Sequence, residues 1–84
     1  MKFAIYSKYG CPYCTKVSQI LDYLSSSKGH SVVELSLNTH FTKDEFYEKF
    51  GEGSTFPQVV LNENQHLGGC SNTIKYLQDQ KIIQ

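Results

Sequence analysis

The sequence of 84 residues contains no arginine, and its eight lysines are balanced by eight acidic residues. Nucleic-acid binding requires a surplus of basic side chains on one surface, so a chain without this surplus is not expected to bind nucleic acid. No apolar run approaches the ~20 residues that a membrane-spanning helix needs. The short apolar stretch that follows Met1-Lys2 is too brief for a signal peptide. We therefore expect a cytoplasmic protein without a membrane segment.

Cysteine is also scarce. The chain has three cysteines, an odd number that is too small for the disulfide framework of a secreted protein. The length allows one domain with one modest core, and no stretch has the composition of a linker or a repeat. We expect residues 1–84 to form a single domain in a reducing compartment, where a Cys-x-x-Cys motif is catalytic more often than structural.

Two of the cysteines stand in the segment Cys11-Pro12-Tyr13-Cys14, between an apolar stretch and a helical pattern of apolar residues. The pattern predicts a helix from Pro12, because proline is favoured at the first helical position. The unpaired N–H groups and the positive dipole end of a helix start favour a thiolate, and Lys8 adds a positive charge. Cys11 is therefore predicted to be an exposed nucleophile, and Cys14 a more buried resolving thiol.

A Cys-x-x-Cys segment is also typical of half a structural zinc site, which uses four Cys or His ligands in two short pairs. The remaining candidate ligands stand singly in the sequence; they are Cys70, His30, His40 and His66. Because no second pair has the spacing that zinc needs, we interpret the segment as redox-active and predict no metal site.

The apolar patterns predict seven elements. Strands are predicted at residues 3–6, 31–37, 57–61 and 65–67, and helices at residues 12–27, 42–51 and 71–80. Thr42 and Glu45 have the spacing of a capping box at the start of the second helix, and Phe41 and Phe46 that of a hydrophobic staple. A strand, a helix and a strand in succession form a right-handed crossover with parallel strands, so the fold class is α/β.

The order of these elements resembles the thioredoxin fold, and the residues resemble glutaredoxins. The resemblance covers essentially the whole chain. It rests on Lys8 ahead of Cys11-Pro12-Tyr13-Cys14, on Thr55-Phe56-Pro57 and on Gly68-Gly69-Cys70-Ser71, in this order. It implies a thioredoxin-like fold, β-α-β-α-β-β-α, with a four-stranded mixed sheet flanked by helices.

The resemblance also implies a glutathione site. In glutaredoxins the proline of the Thr-x-Pro segment is cis and lies against the cysteines; Pro57 matches it, and the backbone of Phe56 would then pair with an extended substrate. The N–H groups of Cys70 and Ser71 would bind the α-carboxylate of the γ-glutamyl group, and Lys8 the glycine carboxylate. The complete implied set of glutathione-binding residues is Lys8, Tyr13, Thr55, Phe56, Pro57, Gly69, Cys70, Ser71 and Asn72.

Two positions depart from the glutaredoxin pattern. Many members have Asp one or two residues after the cysteine of the third motif, whereas this chain has Ser71-Asn72. Asn72 can accept a hydrogen bond but carries no charge, so we expect weaker glutathione binding than is typical. Members often have Arg shortly before the cis proline, whereas the segment Gly53-Ser54-Thr55 has none, and Lys43 or Lys49 is the candidate to replace it.

Three functions are compatible with these residues. The first is a glutathione-dependent thiol-disulfide oxidoreductase, in which Cys11 attacks a disulfide of a client protein or a glutathione mixed disulfide and Cys14 or glutathione resolves the intermediate. This enzyme would be a monomer that uses glutathione as co-substrate and holds no cofactor tightly. The second is a glutaredoxin-like redoxin that is reduced by thioredoxin reductase and serves a client such as ribonucleotide reductase. The third is a glutathione-ligated iron–sulfur scaffold, which Pro12-Tyr13 disfavours because such sites are mostly Cys-Gly-Phe-Ser.

Overall fold

The computed structural model describes residues 1–82, which form a four-stranded sheet and three helices. The strands are β1 (Lys2–Ser7), β2 (Ser31–Ser36), β3 (Gln58–Leu61) and β4 (Gln65–Gly68), and the helices are α1 (Pro12–Lys28), α2 (Lys43–Phe50) and α3 (Cys70–Asp79). The predicted order of elements is confirmed. Within the described residues, no helix has the length and apolar character needed to cross a membrane.

The sheet has the strand order β2-β1-β3-β4. β1 is parallel to β2 and antiparallel to β3, and β3 is antiparallel to β4, so the predicted mixed sheet is confirmed. β1 lies inside the sheet, as its continuous apolar run predicts. Its Phe3 and Ile5 are buried on one face, which α1 and α3 cover. The residues of this hydrophobic core are Phe3, Ile5, Val17, Leu21, Leu24, Val59, Leu61, Cys70 and Leu77.

The other face of β1 contacts an aromatic layer that belongs largely to α2. The ring centroid of Tyr6 lies 5.2 Å from that of Phe41 and 5.0 Å from that of Phe50. Phe46 stacks on Phe56, with ring centroids 4.1 Å apart and an angle of 10° between the planes. This stack joins α2 to the segment that precedes β3. The position of that segment is therefore set by aromatic packing as well as by its own backbone.

The start of α2 has the predicted capping box. The hydroxyl oxygen of Thr42 accepts a hydrogen bond from the N–H of Glu45 at 3.2 Å, and the Glu45 carboxylate accepts one from the N–H of Thr42 at 2.8 Å. The predicted hydrophobic staple is also present, because the rings of Phe41 and Phe46 are stacked with centroids 5.8 Å apart. The first turn of α2, which begins with Lys43, is thus fixed by local interactions.

The connection from β4 to α3 differs from the prediction. The glycine pair was expected to end the hairpin after residue 67 and α3 to begin at Ser71, but Gly68 still pairs with Val59 and α3 begins at Cys70. The ladder accommodates Gly68 through a register shift between Val59 and Val60, opposite which Leu67 of β4 is the extra residue. The φ of Gly68, +105°, is a conformation that glycine tolerates. A Cβ at Gly68 would lie 2.7 Å from Nδ2 of Asn72. The side chain of Asn72 therefore packs directly over this glycine.

Candidate active site

Cys11 and Cys14 lie at the start of α1, and both are free thiols. Cys11 is the N-cap residue, and its Sγ accepts a hydrogen bond from the N–H of Cys14 at 3.2 Å. Cys14 is 3% exposed and Cys11 8%. The predicted order of burial is confirmed, but the prediction of an exposed Cys11 is wrong. The sulfur of Cys11 turns back to cap its own helix, a role that a side-chain oxygen usually performs, and this conformation buries it.

The three thiols have different environments. Burial, followed by the interaction with Cys11, raises the pKa of the Cys14 thiol to about 12, although the backbone of Lys8 acts in the opposite direction. Burial also raises the pKa of the Cys70 thiol, against an opposing effect of the Lys16 charge. Cys14 and Cys70 therefore stay protonated at neutral pH. The Sγ of Cys11 accepts a backbone N–H, an interaction that stabilises a negatively charged acceptor.

A cleft of about 460 Å³ lies between the segment that precedes β3 and the start of α3. We call it the α3 cleft. Eight of the nine residues implied by the family resemblance line it: Tyr13, Thr55, Phe56, Pro57, Gly69, Cys70, Ser71 and Asn72. The Phe56–Pro57 peptide bond is cis, as the resemblance implies. Residues far apart in the sequence are thus brought together around one cavity.

The start of α3 presents backbone donors to the α3 cleft. Its N-cap residue is Gly69, which makes no side-chain cap, and the next two residues, Cys70 and Ser71, line the cleft. The first N–H groups of a helix have no partner within the helix, and the positive end of the helix dipole lies at the same place. This end of the α3 cleft can therefore bind an anion such as a carboxylate.

Lys8 is the ninth implied residue, and it lies outside the α3 cleft. It lines a neighbouring cleft of about 600 Å³ that also contains Cys11 and Lys43, which we call the lysine cleft. The Nζ atom of Lys8 lies 5.3 Å from the ring centroid of Phe56. Thr55 and Phe56 line both clefts, so the two cavities meet at this segment.

The structure distinguishes between the two lysines considered as replacements for the absent arginine. Lys43 lines the lysine cleft, and its Nζ lies 5.9 Å from the ring centroid of Tyr47. Lys49 lies over Tyr6 and Phe50 at 5.9 Å from each ring centroid and lines a different cavity. Lys43, and not Lys49, is therefore the lysine of α2 that lines the same cleft as Cys11.

Three further residues line the α3 cleft, namely Gln58, His66 and Gly68, and none of them is in the implied set of glutathione-binding residues. Gln58 is buried; its Nε2 donates to the carbonyl of Thr55 at 2.8 Å, and its Oε1 lies 2.6 Å from Nε2 of His66. The alternation of side chains along a strand places Gln58 on the face opposite Val59, a signal that the sequence contained. The approach of His66 depends on the register of β3 and β4, which the sequence did not specify.

Cys14 faces a third cavity, which Glu34 and Ser7 also line. The hydroxyl of Ser7 donates to the Glu34 carboxylate at 3.3 Å. The negative charge of Glu34 contributes a minor part of the raised pKa of Cys14. Among residues 1–82, no three His, Cys, Asp or Glu side chains come together in a group that could hold a metal ion.

Comparisons with known proteins agree with this geometry. The family model described as Glutaredoxin matches residues 3–67. The chain is 33% identical over 78 residues to glutaredoxin 1 of Rickettsia typhi, a match that covers 93% of this chain and 72% of that protein. The structure of reduced Escherichia coli glutaredoxin is similar to this one with a TM-score of 0.82 at 22% identity. The match covers 99% of this chain and 100% of that chain. A buckwheat glutaredoxin–glutathione complex has a TM-score of 0.67 at 24% identity, with 94% of this chain and 70% of that chain covered.

The two structural similarities confirm the predicted thioredoxin-like fold. The family model extends from β1, across the Cys-x-x-Cys segment and the cis proline, into β4. Together with the sequence identity to a glutaredoxin over nearly the whole chain, it shows that this protein belongs to the glutaredoxin family and is a thiol-disulfide oxidoreductase.

Proposed function

We propose that glutathione is the reducing co-substrate of this enzyme, and that residues 1–84 act as one monomeric domain in the cytoplasm. The observation that carries the proposal is the α3 cleft, in which eight of the nine implied glutathione-binding residues surround one cavity. A glutaredoxin from buckwheat has been solved in complex with glutathione, which supports the same ligand here.

When glutathione binds at this site, one of its ends contacts the start of α3 and the other the loop between β1 and α1. The α-carboxylate of the γ-glutamyl group accepts hydrogen bonds from the N–H groups of Cys70 and Ser71 at the start of α3. The amide oxygen of Asn72 accepts from the ammonium group. The glycine carboxylate extends toward Lys8, and the cysteine of glutathione pairs with the backbone of Phe56 next to the catalytic sulfurs.

The reaction begins when the Cys11 thiolate attacks a disulfide of a client protein. A bond forms between Cys11 and one client sulfur, and the other client sulfur leaves and takes up a proton. Cys14 then loses its proton and attacks Cys11, which releases the second client thiol and leaves a Cys11–Cys14 disulfide. Two glutathione molecules return the two electrons and become glutathione disulfide. With a glutathione mixed disulfide, a second glutathione can resolve the intermediate in place of Cys14.

One observation favours thioredoxin reductase as an alternative electron donor. Among the described residues, no Asp or Glu lines the α3 cleft, so the ammonium group of glutathione would meet an uncharged amide. A redoxin that is reduced by thioredoxin reductase, with ribonucleotide reductase as a candidate client, does not need this charge.

A coupled assay separates the two donors. NADPH oxidation is measured with the same disulfide substrate, once with glutathione and glutathione reductase and once with thioredoxin reductase. We expect turnover with the glutathione system that exceeds turnover with thioredoxin reductase. The reverse order would contradict glutathione dependence and support the thioredoxin-reductase alternative.

A further inference from the structure

The lysine cleft and the α3 cleft contain positive and neutral side chains. Lys8 and Lys43 line the lysine cleft, and His66 lines the α3 cleft. None of the acidic residues in the described chain lines either cavity. The chain as a whole has equal numbers of acidic and basic residues. Its charge is therefore distributed unevenly, and the surface beside Cys11 is positive.

Neither lysine of the lysine cleft is neutralised by a carboxylate. The one ion pair found within residues 1–82 lies elsewhere in the structure. The Nζ atom of Lys8 lies 5.3 Å from the ring centroid of Phe56, and that of Lys43 lies 5.9 Å from the ring centroid of Tyr47. An aromatic ring attracts an ammonium group without cancelling its charge. Both charges thus remain available to an anion that enters the cleft.

Asp44, which follows Lys43 in the sequence, does not line the lysine cleft, and two other nearby carboxylates, those of Glu45 and Glu34, line other cavities. Glu45 accepts a hydrogen bond from the backbone of Thr42 and lines the cavity that Lys49 also lines. Glu34 lines the cavity behind Cys14, which Lys8 also borders, but among the described residues it forms no ion pair with Lys8. An incoming anion would therefore meet little competition or repulsion within the lysine cleft itself.

The position of Lys43 makes the electrostatic potential in the lysine cleft more positive. Lys43 is the first residue of α2, where the helix dipole disfavours a cation. The side-chain charge and the positive end of the helix act on the same cavity. Two lysine charges thus line one cavity, more positive charge than the single glycine carboxylate of glutathione would balance.

We propose that the lysine cleft selects client proteins by charge, and that its preferred clients carry Asp or Glu next to the reactive disulfide. This inference rests on the proposed exchange reaction at Cys11 and names the client class for that site. Acidic side chains beside the attacked cysteine would contact Lys8 and Lys43 while the disulfide lies at Cys11. The reaction is thiol-disulfide exchange, in which the Cys11–Cys14 dithiol loses two electrons and the client disulfide gains them.

The test uses cyclic disulfide peptides that are identical except for the residues next to the cysteines, which are Glu, Ser or Lys. Pre-reduced protein is mixed with each peptide without glutathione, and the rate of peptide reduction is measured in a single turnover. We expect the Glu peptide to react about tenfold faster than the Lys peptide at low salt, because long-range attraction raises association rates. The difference should largely disappear near 1 M salt, where the screening length is about 3 Å.

Two substitutions on the same helix provide a matched comparison. Lys43→Glu should abolish or invert the preference for the Glu peptide, and Lys43→Gln should reduce it. Lys49→Glu makes the same change of charge on a different face of α2 and should leave the preference unchanged. Equal rates for all peptides with the wild type, or equal effects of Lys43→Glu and Lys49→Glu, would overturn the inference.

The outcome is independent of the electron donor. Because the assay contains no glutathione, a protein that prefers the Glu peptide but accepts electrons only from thioredoxin reductase would support charge selection and contradict glutathione dependence. A protein that uses glutathione but reduces all three peptides equally would support glutathione dependence and contradict charge selection.

Discussion

The side-chain oxygen of Gln58 lies 2.6 Å from Nε2 of His66. An amide oxygen can only accept, so His66 carries a proton on Nε2 and donates it. The amide nitrogen of Gln58 donates in turn to the carbonyl of Thr55 at 2.8 Å. These two hydrogen bonds connect β4 to the segment that lines both clefts.

The first prediction concerns this connection. Gln58→Ala should lower the free energy of unfolding by about 1–2 kcal/mol, because two part-buried hydrogen bonds, to Thr55 and to His66, are lost. His66→Ala should also destabilise the protein, since the buried Gln58 oxygen is left without a donor. In a double-mutant cycle by urea denaturation, we expect the two changes to be coupled by about 1 kcal/mol. Additive effects would show that the two side chains act independently.

Local signals allowed much of the fold to be predicted from the sequence. The capping box of Thr42 and Glu45 and the proline at the start of α1 depend on residues a few positions apart, and the structure has both. The apolar run of β1 similarly predicted its place inside the sheet.

The parts of the site that were missed depend on long-range geometry. Lys43 and Lys49 are both exposed lysines of one helix, and only the packing of α2 against the sheet decides which of them faces Cys11. His66 reaches Gln58 through the pairing of β3 with β4, including a register shift at Val59 that no local pattern indicated. The burial of Cys11 was missed because its sulfur caps its own helix.

The second prediction divides the roles of the two active-site cysteines. Cys14→Ser should retain exchange with a glutathione mixed disulfide, because glutathione can resolve the Cys11 adduct. Cys11→Ser should abolish the reaction, since burial, the largest cause of the raised pKa of the Cys14 thiol, persists in this variant and keeps that thiol protonated at neutral pH. The rate of deglutathionylation of a small peptide measures both variants. Equal losses in the two variants would contradict this assignment.

The third prediction concerns stability at high pH. The pKa of the Cys14 thiol rises from its ordinary 9.0 to about 12 in the folded protein, so the folded state keeps a proton that the unfolded state loses. The unfolded state then binds fewer protons, and the free energy of unfolding should fall with rising pH from about pH 9. Below that pH both states are protonated, and the thiol contributes no pH dependence.

Cys14→Ser is the control for this effect. Urea denaturation of the reduced proteins between pH 8 and 10 should show a steeper decrease for the wild type than for Cys14→Ser. One proton of difference corresponds to a slope of about 1.4 kcal/mol per pH unit, which is the upper limit for this group. Parallel curves for the two proteins would mean that Cys14 ionises equally in both states.

The fourth prediction uses two glycines with positive φ. Gly68→Ala and Gly29→Ala should each lower the free energy of unfolding by about 1–2 kcal/mol, because alanine is strained at positive φ. A Cβ at residue 29 meets nothing within 4 Å, whereas one at residue 68 would displace the Asn72 side chain. We therefore expect Gly68→Ala, but not Gly29→Ala, to raise the KM for glutathione. Similar KM values for the two variants would show that the position of Asn72 does not affect binding.

The fifth prediction restores a negative charge at the start of α3. Asn72→Asp should lower the KM for glutathione by a factor of about 1.4 to 5, because an exposed ion pair with the γ-glutamyl ammonium contributes about 0.2–1 kcal/mol. The gain should decrease with added salt. Residue 72 is the third residue of α3, where an acidic side chain also interacts favourably with the helix dipole, so the variant should be at least as stable as the wild type.

A glutathione analogue without the α-amino group isolates the ion pair. This analogue lacks the cation that Asp at position 72 would bind, and the new carboxylate would lie near its α-carboxylate. Asn72→Asp should therefore leave the KM for the analogue unchanged or raise it, while it lowers the KM for glutathione. If the substitution changes neither constant, the γ-glutamyl group does not bind beside Asn72, and the proposed orientation of glutathione in the α3 cleft is wrong.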